Sequence, residues 1–591
     1  MNNAEYVQVS DTTMLSSITK VCYKIFILFG SFIFFISNAE GQEKHNFSLS
    51  KTDFLLNGKP FQIISGEMHP ARIPREYWRH RIRMTKAMGC NTIAAYIFWN
   101  YHEEKENAFD FKTGNRDIAE FIRICQQEGM WVLLRPGPYV CAEWDFGGLP
   151  PYLLKHPDIK IRCMDPRYMA ATERYIDRLA KEVVALQCVN GGPVLMVQIE
   201  NEYGSFANDK IYLEALRKLW LKNGIKVPFY TADGPTAYML EAGHIKGTAI
   251  GLDSGGSDAD FAQASKADSV PSFSSETYPG WLTHWFEKWQ RPDTNGLKKE
   301  VEYLLKNKKS VNFYVIHGGT NFGFTAGANA FTPTQYQPDI TSYDYDAPIN
   351  EQGLPTSKYF MLRSLITQYT GHIPADIPKP VPTIEVPAIA MKYMTTIWDH
   401  LPKPVFSVQP RPMEYYDQNQ GLILYRTKLI GHRSGKLKIW EPHDYALVFL
   451  NGKFIDTVYR DGGDWTVDLP KTNSENITLD ILVEGMGHIN FAQFMIAKAA
   501  NQARTVDERK GIFFKGNFIL NETGDTYFDL SHYSKGMVYV NGHNLGRHWN
   551  VGPQQRLYCP AGWLKKGNNE IIVFDLLQQD AKEIKTFKTL E

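Results

Sequence analysis

Residues 194–204 have the sequence VLMVQIENEYG, an almost continuous apolar run that ends in Glu200, Asn201 and Glu202. Such a run is typical of a β-strand covered on both faces, as the strands of a parallel sheet are. Polar side chains directly after such a strand lie at the end of the sheet where α/β barrels carry their reactive groups. The segment therefore predicts a buried parallel strand with a functional site at its carboxyl end.

Seven further segments of similar character lie before and after this strand. They are FQIISGEMH from Phe61, NTIAAYIFW from Asn91, WVLLRPGPY from Trp131, PFYTADG from Pro228, GTAIGLDSG from Gly247, SVPSFSSETYPG from Ser269 and VNFYVIHGGTNFG from Val311. Amphipathic stretches such as REYWRHRIRMTKAMG and DKIYLEALRKLWLKNG separate them and have the pattern of surface helices. Eight strands that alternate with helices predict an α/β fold, a (β/α)8 TIM barrel over residues 41–373.

The pattern changes after the predicted barrel. Residues 374–387, PADIPKPVPTIEVP, are rich in proline, which restricts the backbone and removes amide donors, so they predict a linker. Beyond it, short alternating strands predict two β-sandwich domains, over residues 388–505 and 506–591. The pairs Asn451-Gly452 and Asn541-Gly542 each lie between apolar runs and predict tight hairpins in these domains.

The amino-terminal segment has the features of an export signal. Lys20 and Lys24 precede the apolar run IFILFGSFIFFIS, residues 25–37, and small and polar residues follow it. This pattern predicts a secretory signal peptide over residues 1–40, with Met14 as an alternative start, and a periplasmic or extracellular protein. The run is shorter than the roughly 20 residues of a membrane span. We therefore expect no stable membrane insertion, with an uncleaved anchor as the alternative.

The composition narrows the classes of partner and cofactor. The chain has 64 basic and 64 acidic side chains, so a formal net charge of +0 gives no support for a nucleic-acid partner. The seven cysteines form no CxxC pair, and His69, His80 and His102 show no HExxH spacing. HGGTNFGFTAG lacks the Gly-Lys-Ser/Thr end of a phosphate-binding loop. We therefore expect neither a metal nor another cofactor.

Two glutamates are the first candidates for catalysis. Glu202 follows the fourth predicted strand, and Glu276, within SSETYPGWL, follows the seventh. Strands on opposite sides of a barrel bring such side chains face to face, and glycoside hydrolysis needs a carboxylic acid and a carboxylate, about 5–5.5 Å apart in a retaining enzyme. A lone glutamate at a strand end is more often a salt-bridge partner. Glu200, on the same strand face as Glu202, is predicted to be a structural support.

Long motifs in this chain resemble those of glycoside hydrolase family 35, the β-galactosidase family. GGPVLMVQIENEYGS is similar to the acid/base region of that family, and SETYPGWLTHW to its nucleophile region. TIAAYIFWNYHE, LRPGPYVCAEWDFGGLP, FYVIHGGTNFG and TSYDYDAPINEQG resemble its other barrel motifs, in the same order. GLILYRT, LVEGMGHINF, KGNFIL and VNGHNLGRHW resemble its sandwich domains, which are of the jelly-roll, galactose-binding-like type. The resemblance runs from about residue 50 to about residue 580.

The resemblance implies an exo-acting, retaining β-galactosidase that removes terminal non-reducing β-D-galactose from a glycan through a covalent galactosyl-enzyme. It implies Glu202 as the general acid/base and Glu276 as the nucleophile. The residues that it implies for sugar binding are Asn201 at the 2-hydroxyl, Tyr96, Glu143 and the backbone of Ala142 at the 3- and 4-hydroxyls, Tyr345 in the galactose pocket and Trp281 as an aromatic wall. Without the motifs, Trp281 is equally well a core residue and Tyr345 a turn residue.

Three alternatives remain open from the sequence. The first is another exo-acting specificity of the same family, such as glucosaminidase activity. The second is a carbohydrate-binding protein with an inactive barrel, and the third is a structural cell-surface protein. The presence of both Glu202 and Glu276 counts against the second and is unexplained by the third. The linkage, the leaving group and the oligomeric state are left open.

Overall fold

A computed structural model of the chain describes residues 43–332, 335–431, 434–472, 476–492 and 510–591. The predicted signal peptide, residues 1–40, and the alternative start at Met14 lie outside these ranges. Within them, no helix combines the length and the apolar character needed to cross a membrane.

Eight parallel strands close into a barrel. They are β1 (Ile64–Met68), β2 (Thr92–Tyr96), β3 (Trp131–Arg135), β4 (Val194–Gln198), β5 (Phe229–Asp233), β6 (Ala249–Asp253), β7 (Ser272–Thr277) and β8 (Val311–His317). Each strand pairs with the next, and β8 closes the barrel by pairing with β1, where Val311 lies opposite Ile64. Each predicted segment forms its strand, so the predicted (β/α)8 barrel is confirmed.

A helix follows each strand on the outside of the barrel. The helices are α1 (Trp78–Met88), α2 (Ile118–Gln127), α3 (Pro166–Val183), α4 (Lys210–Lys222), α5 (Ala237–Gly243), α6 (Asp258–Ala267), α7 (Thr294–Lys306) and α8 (Ser357–Thr370). Local sequence fixes several ends: the Asp165 side chain caps α3, whose first residue is proline, and Gly89, with φ 109°, ends α1.

The interior of the barrel is apolar at its base and charged near its carboxyl end. All five residues of β4 are buried, as expected for a strand covered on both faces. Further along the barrel axis, the buried Arg135 of β3 forms an ion pair with Glu67 of β1 and donates to Gln198 of β4 over 2.6 Å. Buried charges are tolerated only when they are paired, so these strands hold a prearranged polar network.

The strands after the barrel form two β-sandwiches. They are β9 (Met391–Thr396), β10 (Gly421–Ile430), β11 (Gly435–Lys438), β12 (Tyr445–Leu450), β13 (Lys453–Tyr459), β14 (Thr466–Leu469), β15 (Asn476–Gly485), β16 (Ile489–Ala492), β17 (Ile512–Leu520), β18 (Thr526–Asp529), β19 (Lys535–Val540), β20 (His543–Trp549), β21 (Arg556–Cys559), β22 (Gly567–Asp575) and β23 (Thr586–Phe587). Asn451 and Asn541 adopt positive φ in the β12–β13 and β19–β20 turns, as a two-residue hairpin turn requires.

The first sandwich contains the sheet β10-β15-β12-β13 and the pair β11-β14. The second packs the sheet β9-β17-β22-β19-β20 against β21-β18-β23. β16 follows β15 in the first sandwich domain but joins none of these sheets, because it pairs with Ala328–Ala330 in the long loop after β8. The structure thus has the predicted barrel followed by all-β domains.

The sheets do not follow the predicted division into 388–505 and 506–591. β9 lies within the range predicted for the first sandwich, yet it pairs with β17 in the second. The proline-rich residues 374–387 are not a free linker either, since Ile384 donates its amide to Asp525 over 2.9 Å and Val386 donates to Thr586 over 2.6 Å. Alternation in the sequence marks a strand but does not specify its partner, which explains the difference.

The barrel and both sandwiches share one apolar cluster. Trp285 and Tyr336 from barrel loops pack in it with Tyr445 and Phe449 of the first sandwich and Trp549 of the second. At a separate contact, Tyr77 before α1 donates its hydroxyl hydrogen to Asp525 of the second sandwich. The sandwiches therefore complete the core of the barrel loops.

Truncation after residue 380 is expected to yield insoluble protein, because it exposes the barrel side of this shared cluster. The measurement compares the soluble fraction and the specific activity of residues 1–380 with those of the full chain. A soluble fragment with full activity would show that the barrel loops do not depend on the sandwiches.

Candidate active site

Glu202 lies beyond the carboxyl end of β4, where the chain turns sharply. Glu200 and Glu202 both have left-handed backbone conformations, with φ 60° and 45°. The amide of Glu202 donates to the carbonyl of Ala232 in β5 over 2.9 Å, and Glu202 precedes a one-turn helix, Tyr203–Phe206. Backbone strain of this kind, of order 1–3 kcal/mol per residue, is typical of functional sites.

Glu276 lies near the end of β7 and is surrounded by donors. Its Oε1 accepts hydrogen bonds from Arg135 and, over 3.2 Å, from the hydroxyl of Tyr96. Its Oε2 accepts from the hydroxyl of Tyr278 over 3.0 Å. Three donors, one of them a cation, stabilise the ionised form of this carboxyl group.

The two glutamates have different electrostatic environments. Burial and then the neighbouring Glu276 charge raise the pKa of Glu202 to about 7. Burial also raises the pKa of Glu276, but the charge of Arg135 and the hydrogen bonds from Arg135 and Tyr278 act against this effect. Glu202 has no cation in ion-pair contact within the described residues. The charged form is therefore stabilised more strongly at Glu276 than at Glu202.

Arg135 connects the nucleophile candidate to the rest of the barrel. In addition to Glu276, its guanidinium contacts Glu67, Gln198 and Asn201, and it lies 3.9 Å from the centre of the Tyr96 ring. A guanidinium group has five donors in a rigid plane, so it can hold several acceptors in fixed positions at once. A lysine ammonium group cannot do this. Arg135 is not among the residues predicted from the sequence, although a charged residue at the end of the apolar run WVLLR is a visible signal.

Asn201 and Tyr96 lie beside the glutamates. The amide oxygen of Asn201 accepts from Tyr96 over 2.7 Å, from Gln198 over 2.9 Å and from Arg135 over 3.2 Å. These donors fix the orientation of the amide and leave its NH2 group as a donor for another partner. The structure thus brings Glu202, Asn201, Tyr96 and Glu276 into one cluster.

Glu200 is part of the support of this cluster. Its carboxylate forms a two-point contact with Arg162, over 3.0 and 2.7 Å, and accepts from Tyr212 over 2.9 Å. The same Arg162 donates to the carbonyl of Asn201 over 2.7 Å. A bidentate pair fixes direction as well as distance, so it holds the strained turn that carries Glu202.

Ala142 and Glu143 lie on a loop after β3. Cys141, Ala142 and Glu143 have consecutive positive φ angles of 60°, 57° and 48°, a conformation that costs roughly 1–2 kcal/mol per residue outside glycine. The Glu143 carboxylate accepts from the hydroxyl of Tyr343. Arg72 donates to the carbonyl of Ala142 over 2.6 Å and lies 3.7 Å from the centre of the Tyr343 ring.

Tyr345 and Trp281 form an aromatic corner of the site. Tyr345 is buried, has φ 63°, and packs near Tyr343 and Tyr314, with ring centres 5.2 and 5.8 Å away. The backbone of Trp281 donates to the carbonyl of Tyr345 over 3.0 Å. The Trp281 side chain is 45% exposed, so it is not a core residue. An exposed ring beside a cluster of polar side chains is suited to contact with a sugar face.

Four residues at the site escaped the sequence analysis besides Arg135. They are Tyr278, Tyr343, Arg72 and Arg162. Tyr343, Arg72 and Arg162 acquire their partners at the site from distant strands or loops, so no local pattern distinguishes them from ordinary surface or core residues. Tyr278 differs, because it donates to Glu276, only two residues before it in the sequence. Within the described residues, no group of three or more histidine, cysteine or acidic side chains is arranged to hold a metal ion.

The arrangement is suited to acid–base and nucleophilic chemistry on a sugar. It places one carboxyl group that retains a proton near pH 7 beside one that is stabilised as an anion, with amide, carboxylate and aromatic groups around them. Two carboxyl groups with divided roles are the requirement for cleavage of a glycosidic bond.

Models of known protein families match three parts of the chain. The model of glycosyl hydrolases family 35 matches residues 53–369. The model of the first all-beta domain of β-galactosidases matches residues 410–511, and that of the β-galactosidase galactose-binding domain matches residues 512–569. The matches therefore extend over the barrel and both sandwiches.

Relatives share most of the chain. A beta-galactosidase from Xanthomonas manihotis is 38% identical over 547 residues, which cover 87% of this chain and 91% of that protein. Beta-galactosidase-1-like protein 3 from Homo sapiens is 35% identical, over 89% of this chain and 86% of that protein. Beta-galactosidase 17 from Arabidopsis thaliana is 34% identical, over 92% and 88%. This chain therefore belongs to glycosyl hydrolase family 35.

Proposed function

We propose that the protein is an exo-acting, retaining β-galactosidase that releases terminal non-reducing β-D-galactose from glycans. The observation that carries the proposal is the contrast between Glu276, which accepts hydrogen bonds from three groups, and Glu202, whose pKa is raised to about 7. Membership of family 35 and the names of the relatives support galactose as the sugar.

In the first step, the Glu276 carboxylate attacks the anomeric carbon. The glycosidic carbon–oxygen bond breaks as the carbon–oxygen bond of a galactosyl ester forms. Glu202 gives its proton to the departing oxygen, so the leaving group departs as a neutral alcohol. Arg135 and Tyr278 hold the attacking carboxylate in place before the reaction.

In the second step, water replaces the enzyme at the anomeric carbon. Formation of the ester removes the negative charge of Glu276, which is one cause of the raised pKa of Glu202. The pKa of Glu202 then falls, and its carboxylate accepts a proton from the attacking water. Two inversions give net retention, so the first product is β-galactose.

The amide of Asn201, the carboxylate of Glu143 and the backbone of Ala142 are proposed to bind the sugar hydroxyls, with Tyr345 and Trp281 at its apolar face. The hydroxyl of Tyr96 contacts both Asn201 and Glu276. Tyr96 is therefore proposed to contribute to sugar binding and also to hold the nucleophile. Glucosaminidase activity within the same family is the second candidate.

Chromogenic galactosides, glucosides and glucosaminides test the assignment directly. We expect hydrolysis of the β-galactoside with a kcat/KM at least about a hundredfold above the others, since the site is built to bind specific hydroxyl groups. NMR of the first product should show the β-anomer. A preference for the glucosaminide would select the second candidate, and an α-anomer as first product would exclude retention.

Glu143→Gln is expected to lower kcat/KM on an aryl galactoside by roughly 10- to 150-fold, because it removes a charged acceptor worth about 1.5–3 kcal/mol. The amide oxygen of glutamine still accepts from Tyr343, so the loop should remain folded. Steady-state kinetics and the thermal midpoint measure the two effects. Normal kcat/KM would assign Glu143 to structure alone.

We also propose that the protein is exported to the periplasm or the cell exterior, since Lys20, Lys24 and the apolar residues 25–37 have the pattern of a signal peptide. Amino-terminal sequencing of the mature protein is expected to find a start at about residue 41. A mature protein that retains residues 25–37 would support the anchor instead.

A further inference from the structure

The loop of residues 139–147 carries two of the proposed sugar-binding residues in a conformation that it does not favour by itself. Cys141, Ala142 and Glu143 are all left-handed, and none is a glycine. Contacts from elsewhere must therefore hold the loop. On the barrel side, Arg72 donates to the carbonyl oxygens of Ala142 and Glu143, over 2.6 and 3.3 Å.

On the other side, the loop contacts a segment of the first sandwich. The amide of His488 donates to Asp145 Oδ1 over 2.7 Å, and His488 Nδ1 lies 2.9 Å from the same oxygen. The carbonyl oxygen of His488 accepts from the amide of Phe146 over 3.4 Å. Asp145 and Phe146 directly follow Glu143 and Trp144, so His488 holds the end of the loop.

His488 also connects the loop to a second part of the first sandwich. Its Nε2 lies 2.8 Å from a carboxylate oxygen of Glu414. Burial acts to lower the pKa of His488, but Asp145 and then Glu414 raise it to about 10. The ring is therefore a cation between two carboxylates, and both of its nitrogens are donors.

Asn490 holds the beginning of the loop. Its carbonyl oxygen accepts from the hydroxyl of Tyr139, and its side-chain NH2 lies 3.6 Å from Cys141 Sγ and donates to Asn329 over 3.0 Å. Asn490 is 4% exposed and lies in β16, the strand that pairs with Ala328–Ala330. Gly327, which directly precedes Ala328–Ala330, donates its amide hydrogen to the carbonyl of Glu143 over 3.1 Å.

We propose that His488 and Asn490 of the first sandwich are positioning residues of the active site, which hold residues 139–147 so that Ala142 and Glu143 present their oxygens to the galactose hydroxyls. This inference rests on the proposed galactosidase function. It gives the first sandwich a role in substrate affinity that is separate from covering the barrel. His488 and Asn490 act through Ala142 and Glu143 and have no contact with Glu202 or Glu276 among the described residues.

His488→Gln tests the proposal in the full-length protein. The amide side chain keeps a donor but loses the charge and one ring contact. We expect KM for an aryl β-galactoside to rise at least about tenfold, the change given by loss of one hydrogen bond to a charged group, while kcat changes less than about threefold. The Kd of a galactose-configured iminosugar, measured by calorimetry, should rise in parallel. If this variant does not fold, Asp145→Asn tests the same contact from the barrel.

Tyr77→Phe is the matched control, because it removes a hydrogen bond between the barrel and the second sandwich at Asp525. It should lower the thermal midpoint without changing KM. In the Glu143→Gln background, His488→Gln should raise KM by a smaller factor than in the wild-type background, since residues that act through one another are not additive. Asn490→Ala should raise KM in the same way as His488→Gln.

The outcomes distinguish a failure of the positioning role from a failure of the proposed galactosidase function. An active wild-type enzyme in which His488→Gln and Asn490→Ala leave KM unchanged overturns the positioning role and leaves the proposed function intact. If His488→Gln raises KM by the same factor in the wild-type and Glu143→Gln backgrounds, the positioning role is also overturned. A wild-type protein without activity on any β-galactoside contradicts the proposed function itself, whatever the variants do.

Discussion

Glu276→Ala is expected to lower kcat for an aryl β-galactoside by on the order of 10⁴-fold or more, the scale of loss when an enzymatic nucleophile is removed. Activated substrates such as dinitrophenyl galactoside should fail as well, because no side chain remains to form the galactosyl ester. A burst of released phenol should therefore be absent in stopped-flow traces. Arg135 keeps its ion pair with Glu67, so the barrel should stay folded, as the thermal midpoint will show.

Azide adds a stereochemical test of the same variant. The anion enters the cavity left by the carboxylate, next to Arg135 and Tyr278, and attacks from the side where Glu276 stood. The product should be α-galactosyl azide, identified by NMR. Formation of the β-azide would instead give Glu276 the role of the acid/base.

Glu202→Ala is expected to lower kcat/KM by about 10²–10⁴-fold on substrates with poor leaving groups, the range that general acid–base catalysis supplies. Dinitrophenyl galactoside needs little protonation, so the galactosyl-enzyme should still form and then accumulate, which gives a burst. Azide needs no base and should restore turnover with β-galactosyl azide as product. Loss of less than about a hundredfold would place the acid/base elsewhere.

The pH dependence of kcat/KM is expected to follow the ionisation of Glu202. The pKa of Glu202 is raised from the ordinary value to about 7, so the carboxyl group keeps its proton up to that pH and loses it above. We expect kcat/KM of the wild-type enzyme to fall with an alkaline limb near pH 7. Glu202→Gln cannot ionise, so its residual activity on dinitrophenyl galactoside should lack this limb. An unchanged limb would assign it to another group.

The barrel was predictable because its strands carry their own signal. Each of the eight apolar runs is buried on both faces, so local composition alone marks it, and the strand ends then locate Glu202 and Glu276. Arg135 ends one of these runs, but nothing in the local sequence indicates its partners. Its partners Glu67 and Glu276 lie 68 and 141 residues away in the sequence, and only closure of the barrel brings them together.

The loop at Glu143 was unpredictable for a different reason. Left-handed residues are expected at glycine or asparagine, yet Cys141, Ala142 and Glu143 adopt this conformation because Arg72 and the first sandwich hold them. The order of the strands in the sandwiches has the same origin. Short alternating segments predicted two sandwiches, but nothing in β9 itself indicates that it pairs with β17.

That pairing makes the first sandwich a domain inserted into a hairpin of the second. The last residue of β9, Thr396, lies opposite Ile512, the first residue of β17, and residues 397–511 are the whole insertion. During synthesis, β9 emerges from the ribosome long before its partner β17. The two strands can pair only after residues 397–511 have been made, and closing so long a loop slows this step. Conversely, joining residues 396 and 512 through a two-residue turn should allow the second sandwich to fold without the inserted domain.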